Sequence, residues 1–312
     1  MKYILIGGSG FIGQHFIKKL KNKIILNVDI NEGINKTNYK FCDITDKEKL
    51  LSLKLTKCKD VTLINLAAVH FDFQRKYFKT NVDGTLNILE FIKKNKCIKK
   101  FVFFSSVATY GDSDNGKDEF SKQLPNNDYG KSKLKAEKII KKWSNNNKNI
   151  KTIIVRPAVV FGEFNFGNVF NLIKQIKSGY FAIIGNGKNI KSVAYAGNLV
   201  DSVIFCLNNI KKSLFIYNYC DYPQKNISDQ VKLIGDLLNK HYFIKIPLFL
   251  TKFITIPVDI LEYIFKKDLK INSMRVNKFT VSTYFKSDLI RDLGFKPKYS
   301  FKTSFKNTLY WI

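Results

Sequence analysis

The stretch "KYILIGGSGFIGQHFIKKL" constrains this chain more than any other. A short apolar run ends in Gly7, Gly10 and Gly13, and a segment with helical spacing follows at once. Glycines let a backbone come close to a pyrophosphate, and a helix N-terminus adds N–H donors and the positive end of its dipole. A glycine pattern alone is a weak signal, so its surroundings matter. The next apolar run, "IILNVDI", ends in Asp29, about 20 residues on, where a carboxylate accepts from a ribose diol. Asp29 repels a 2′-phosphate and no Arg follows it, so the expected cofactor is NAD rather than NADP.

Further apolar runs, "VTLINLAA" (61–68), "KFVFFSS" (100–106) and "TIIVRPAVVFG" (152–162), read as strands, and "TNVDGTLNILEFIKKNK" between them reads as an amphipathic helix. Strands alternating with helices imply parallel βαβ units with both sheet faces covered. The expected fold is α/β, a Rossmann-type doubly wound parallel sheet with a smaller C-terminal lobe. The expected division is a dinucleotide-binding domain over 1–163, to which parts of 190–222 return, and a mainly substrate-binding lobe over 164–312. In that lobe "FNFGNVFNLIKQIKSG" should be a helix. The apolar "KIPLFLTKFITIPVDILEYIF" is interrupted by Pro247 and Pro257.

Two stretches carry candidate chemistry. "FFSSVATYG" places Ser105 and Ser106 at the carboxyl end of a strand, the edge where open α/β sheets bind ligands. About 20 residues later, "NDYGKSKLKAEKII" sets Tyr129 four residues before Lys133, hence on one helix face. A free phenol, with a pKa of about 10, is a poor base at neutral pH. A nearby ammonium and a cationic nicotinamide ring should lower that value. Tyr129 would then take a proton from a sugar hydroxyl while hydride leaves the same carbon. Ser106 would hydrogen-bond the reacting oxygen, and Lys133 would also hold the nicotinamide ribose. In "CDITD", Asp43 and Ile44 either lie beside the adenine or belong to a loop that caps the helix starting near Asp46.

These motifs together resemble the extended short-chain dehydrogenase/reductases, in their sugar epimerase and dehydratase branch, over essentially the whole chain. The matching stretches are "GGSGFIG", "NLAA", "TNVDGTLNILE", "SSVATYG", "YGKSK", "VRPAVVFGEFNFGNV" and "KSVAYAGNLVD". "IYNYCDYP" and "INSMRVNKFTVSTYFKSDLIRDLGFKP" are similar to the group of 4-epimerases acting on N-acetylglucosaminyl diphosphoundecaprenol, which serve O-antigen assembly. The resemblance implies an isomerase with Ser106, Tyr129 and Lys133 as its catalytic set; the alternatives are a 4-keto-sugar reductase, which shares the Tyr/Lys machinery but normally prefers NADPH, which Asp29 opposes, and a non-catalytic NAD-binding regulator, which usually lacks one of the three. It implies NAD surrounded by Gly7, Gly10, Phe11, Ile12, Gly13, Asp29, Asp43, Ile44, Leu66, Ala67, Ala68 and Pro157. It implies sugar or diphosphate contacts from Asn168 and Lys191, with Arg275 and Lys278 either a second pair for the diphosphate or solvated surface. His70 either faces the sugar or is a hydrogen-bonded structural histidine. The 4,6-dehydratases of the branch need an Asp-Glu pair after the hydroxyl residue, and Val107 and Ala108 stand there instead. The implied partners are a lipid- or nucleotide-linked sugar diphosphate and a second copy of the chain, paired through the helices containing 82–95 and 129–143.

Composition adds limits. The five cysteines have no metal-ligand spacing, so no metal site is expected and a reducing cytoplasm suits them. The formal net charge is +28, nearly all of it lysine, because the only arginines are Arg75, Arg156, Arg275 and Arg291. Nucleic-acid readers favour the bidentate fork of arginine, so nucleic acid is not an expected partner. The N-terminal apolar run is too short for a secretion signal, and no run of about 20 apolar residues suggests a spanning helix. A cytoplasmic protein is expected. The apolar stretch at 243–265, flanked by lysines, is either a face that meets the anionic inner surface of the membrane or a helical subdomain over the sugar site.

Overall fold

In the structure, a computed structural model, residues 1–35, 37–55, 58–70, 76–179, 181–265 and 273–312 are described, without the side chains of 252, 254, 259–265, 274, 275, 277 and 278. Seven strands form the central sheet. In chain order they are β1 (Lys2–Ile6), β2 (Ile24–Asp29), β3 (Tyr39–Phe41), β4 (Val61–Asn65), β5 (Ile98–Phe104), β6 (Lys151–Pro157) and β7 (Leu214–Tyr219). In space they run β3-β2-β1-β4-β5-β6-β7, and every pairing is parallel. The order reverses between β1 and β4, which opens a crevice at their carboxyl ends.

The apolar runs lack a clean alternation because both faces are covered. Tyr3 and Leu5 of β1 enter a core with Phe16 and Leu20 of helix Phe11–Leu20 and Leu199 and Val203 of helix Ala196–Asn209. Ile4 and Ile6 enter the opposite core with Ile88 and Phe91 of helix Gly84–Lys94 and Ala136 and Ile140 of helix Asp128–Asn146. The helix carrying Tyr129 and Lys133 is thus fastened to the sheet on the side where β4 and β5 meet the crevice.

After Phe161 the chain builds a lobe with its own core. Val169, Ile173 and Ile176 of helix Asn168–Ser178 pack with Val231 and Ile234 of helix Ile227–Leu238 and with Phe301 and Phe305. The chain returns to the sheet edge as β7, where Tyr219 pairs with Pro157. The two prolines of the apolar stretch act differently from a double break. Pro247 precedes helix Leu248–Phe265, and Pro257 lies inside it. Among the described residues, no helix is long and apolar enough to cross a membrane.

Candidate active site

The glycine loop sits at the crevice. Gly7 has φ +79°, and a Cβ there would lie 2.6 Å from the Ala67 nitrogen, so only glycine lets β1 pass so close to the end of β4. A Cβ on Gly13 would strike the Gly8 carbonyl, which seats the helix against the loop. Gly10 is different. Its nearest neighbour to such an atom is the Gly7 oxygen at 3.5 Å, an ordinary contact, so this part of the loop is bare backbone. Gly10 also caps helix Phe11–Leu20 with no side-chain hydrogen bond, leaving that N-terminus to an anion. The residues therefore fit a dinucleotide pyrophosphate. Phe11 and Ile12, half-buried, form the first turn beside it.

Asp29 ends β2 next to this loop. Its carboxylate accepts from the Ser9 amide at 2.9 Å and the Asn31 amide at 3.1 Å, which fixes it at the crevice wall. Half-buried Leu66, Ala67 and Ala68 follow β4, and the Ala67 amide donates to the Ile6 carbonyl at 3.0 Å. Asp43 accepts from the Thr45 amide at 2.8 Å, whereas Asp46 accepts from Lys49 and caps helix Lys47–Ser52. Ile44 is buried after β3, and its carbonyl accepts from Asn87. Pro157 is buried at the end of β6.

Ser106, Tyr129 and Lys133 meet at the carboxyl end of β5. Asn127 caps their helix by accepting from the Gly130 amide at 2.9 Å, which begins it two residues before Tyr129. The Ser106 hydroxyl lies close enough to the Tyr129 phenol to lower its pKa, and Ser106 accepts from the Ala108 amide at 3.1 Å. Lys133 Nζ stands 6.0 Å from the centre of the Tyr129 ring and donates to the Phe104 carbonyl at 2.7 Å.

Without the cofactor, the electrostatics of the trio run the other way from those expected of the loaded site. Burial pushes the Tyr129 phenol up to about 12, and the Ser106 hydroxyl opposes this only in part. Burial also pulls Lys133 down to about 7 against the pull of Glu137. Withdrawal from water penalises both charged forms, so without a ligand the phenol is neutral and the ammonium is weakened. Spacing on a helix does not report how dry the face is. An unfolded lysine titrates near 10.4, so from about pH 7 to about pH 10.4 the folded chain binds fewer protons than the unfolded one. Stability from this site then rises with pH across that window, and the cost of burying the ammonium is complete below it. Lys133→Met should raise the melting temperature of cofactor-free protein, by more at about pH 6 than at about pH 9.5. Equal shifts in thermal melts at the two pH values would remove this account.

Three residues that motif reading passed over hold the trio in place. Asn81 donates to Ser132 Oγ at 2.9 Å and grips the Val69 backbone through both ends of its amide, tying the loop after β4 to the helix. Glu137, one turn past Lys133, accepts from Ser105 Oγ at 2.5 Å and forms a bidentate pair with Arg156 at 2.9 and 2.6 Å. Arg156 also donates to the Tyr110 hydroxyl. The signal was present: "TNVDG" places a polar residue within an apolar face, and Arg156 is a lone arginine in an apolar strand.

The remaining candidates divide. His70 is exposed, and its pKa is lowered by partial loss of water and then by Lys133, which places it on the trio's side of the crevice. Asn168 opens helix Asn168–Ser178 on the lobe and is exposed. Lys191 is also on the lobe. Its Nζ donates to the Val281 carbonyl, and burial lowers it to about 8 while Asp114 opposes this. The side chains of Arg275 and Lys278 lie outside the described residues.

Comparison with known proteins decides the affiliation. Residues 3–219, which include the loop, Asp29 and the trio, match the NAD dependent epimerase/dehydratase family. The chain belongs to that family. NAD is accordingly its cofactor, and the bare N-terminus at Gly10 agrees. A curated relative, the N-acetyl-alpha-D-glucosaminyl-diphospho-ditrans,octacis-undecaprenol 4-epimerase of Escherichia coli O157:H7, is 35% identical over 98% of this chain and 93% of its own length. The UDP-glucose 4-epimerase of Vibrio cholerae is 23% identical over 76% of each chain. Among solved structures, the UDP-N-acetylglucosamine 4-epimerase of Methanobrevibacter ruminantium M1 matches with a TM-score of 0.74 at 20% identity, covering 99% of this chain and 97% of that one. At that identity the match shows the shared fold, lobe included.

Proposed function

We propose that this family member is a sugar 4-epimerase acting on an N-acetylhexosamine linked through a diphosphate to undecaprenol, interconverting the gluco and galacto forms for surface polysaccharide such as O-antigen. The observation that carries this reading is the 35% identity to the undecaprenol-linked 4-epimerase, because it extends over 98% of the chain and so covers the lobe as well as the sheet. Val107 and Ala108 speak against dehydration. They fill a helical turn after Ser106 with an apolar pair where an acid and a base would be needed.

On this reading the cradle for NAD is Gly7, Gly10, Phe11, Ile12, Gly13, Asp29, Asp43, Ile44, Leu66, Ala67, Ala68 and Pro157. NAD, when bound, supplies a reversible acceptor for the C4 hydride. Tyr129 Oη takes the proton of the sugar 4-hydroxyl and later returns it, while the Ser106 hydroxyl holds the reacting oxygen. Lys133 holds the nicotinamide ribose and favours the phenolate once it is charged. The 4-keto sugar turns over between the two transfers, so Asn168 and His70 face it in two orientations. Lys191, with Arg275 and Lys278, meets the diphosphate. The lobe, mainly 164–312 apart from the parts of 190–222 that return to the sheet, forms the substrate side.

The test is incubation of purified protein with N-acetylglucosaminyl and N-acetylgalactosaminyl diphosphoundecaprenol separately, with no added oxidant, followed by mass spectrometry and NMR of the sugar. The same mixture should arise from either side. Conversion of UDP-sugars alone would overturn the lipid carrier, and conversion of neither would overturn epimerisation.

We also propose a homodimer formed through helices Gly84–Lys94 and Asp128–Asn146. Leu86 is exposed on the first, and Phe78 is exposed just before it beneath Lys135 of the second. Sedimentation velocity should give a dimer for the protein and a monomer for Leu86→Glu; a monomer in both would remove the proposal.

A further inference from the structure

Helix Leu248–Phe265 turns an apolar stripe to the outside along its described first half. Phe249, Phe253 and Ile256 recur at helical spacing and are 63%, 75% and 53% exposed, while Thr251 and Thr255 between them are 5% and 3% exposed. A helix that meets water turns its polar stripe outward. Here the threonines face the protein, and each hydroxyl is satisfied there. Thr251 donates to the Leu248 carbonyl at 2.6 Å, and Thr255 accepts from Ser273 at 2.9 Å. Leu248 and Leu250 are exposed as well, and so, just before the helix in the chain, are Ile244 and Tyr242, which is 98% exposed. Clustered exposed apolar side chains of this kind mark an interaction site.

The charge pattern identifies what covers it. Between Asp236 and Asp259 the sequence holds Lys240, Lys245 and Lys252 and no carboxylate. Lys240 and Lys245 are exposed. The chain as a whole carries a formal charge of +28. An exposed apolar helix face with lysines and a tyrosine close by in the chain suits the boundary between headgroups and acyl chains of an anionic leaflet. A protein partner for a face so rich in phenylalanine would need its own carboxylates. An anionic bilayer supplies both the hydrocarbon and the negative charge.

We propose that the face formed by Tyr242, Ile244, Phe249, Leu250, Phe253 and Ile256 docks the protein on the anionic surface of a membrane. The purpose of such docking rests on the lipid-linked reading above. Helix Ser273–Thr280 joins this face to the substrate side: Ser273 bonds to Thr255, and just past its far end Val281 accepts from Lys191. Docking there keeps the diphosphate side of the lobe near the headgroups while the prenyl chain remains in the bilayer.

The experiment is co-sedimentation of the full chain with vesicles of about one part phosphatidylglycerol to three of phosphatidylcholine, free of any sugar lipid. Wild-type protein should sediment, and raising salt should weaken binding. Phe249→Ser/Phe253→Ser/Ile256→Ser should lower the partition coefficient at least about tenfold, with an unchanged thermal melt and NAD content. Lys240→Gln/Lys245→Gln should lose the preference for phosphatidylglycerol over pure phosphatidylcholine. No sedimentation of the wild type, or equal binding by the folded triple variant, overturns the proposal. So does a wild-type dimer that becomes a monomer in the triple variant with vesicle binding absent from both, which would make the face a contact between copies. The two readings fail separately. Vesicle binding without epimerisation removes only the substrate assignment, and turnover of a detergent-solubilised prenyl diphosphosugar without vesicle binding removes only the docking.

Discussion

Tyr129→Phe should leave a folded protein that retains NAD and turns over sugar about a thousandfold more slowly or worse, within the range general acid–base groups contribute. The substitution removes one oxygen and keeps the ring beside Lys133, so packing in the first turn of helix Asp128–Asn146 is preserved. Ser106 keeps its hydrogen bond from the Ala108 amide. A phenol with only a packing role would cost little, and the loss would then appear as lower NAD content or a lower melting temperature. The measurement is therefore threefold: initial rate by product NMR, cofactor content of the purified protein, and a thermal melt. A rate within tenfold of wild type would remove Tyr129 from the reaction. The ligand-free value of about 12 sets the scale of what loading the site must do. Positive charge arriving beside the phenol acts in the required direction, and Lys133 assists only while protonated, which its own value of about 7 limits.

The largest expected effect on stability comes from Arg156→Met. Arg156 is 2% exposed, and its partner Glu137 is fully buried. Removing the guanidinium leaves a carboxylate in the dry layer beneath the trio, with Ser105, Gln123, the more distant Lys141 and the weakened charge of Lys133 as its described company. Breaking a buried pair in this way costs about 3–5 kcal/mol, which a chemical denaturation curve at neutral pH would read directly. Arg156→Met/Glu137→Leu should recover most of it, because the uncompensated charge is gone. The pH dependence has a definite sign. Although burial raises it, Arg156 and Ser105 hold the Glu137 pKa below its ordinary value in the folded protein. The wild-type pair therefore stabilises above the unfolded value of about 4.3, and this is lost as pH falls through the lower folded value. Without Arg156, burial raises that pKa instead, so the variant's deficit should be largest near neutrality and shrink as the carboxylate protonates in acid. A deficit independent of pH, or a double variant no better than the single, would show that packing and not charge is at stake.

The seven-stranded sheet was largely legible because its information is local. Apolar runs of strand length, a glycine loop after the first and Asp29 at the end of the second specify a parallel βαβ start wherever they occur together. The four-residue spacing of Tyr129 and Lys133 likewise fixes a shared helix face without reference to the rest of the chain. Pro257 was less legible: its position at a break in the apolar pattern suggested interruption, yet helix Leu248–Phe265 continues through it. Asn81 and Arg156 were visible only as residues out of place, since their partners Ser132 and Glu137 lie in another element.

What the sequence alone determined is which groups are carried to the sheet's open edge: the bare loop, the carboxylate at position 29, and a serine, a phenol and an amine on converging elements. The tertiary structure decided their state. Hydration is a property of a place and not of a residue, so only the assembled layers around Phe104, Glu137 and Arg156 set the phenol near 12 and the amine near 7. The same reason applies at the other end of the molecule. Thr255 and Phe253 are close neighbours in the chain, and the packing around the helix, with Ser273 bonded to Thr255, decides which of them turns away from water.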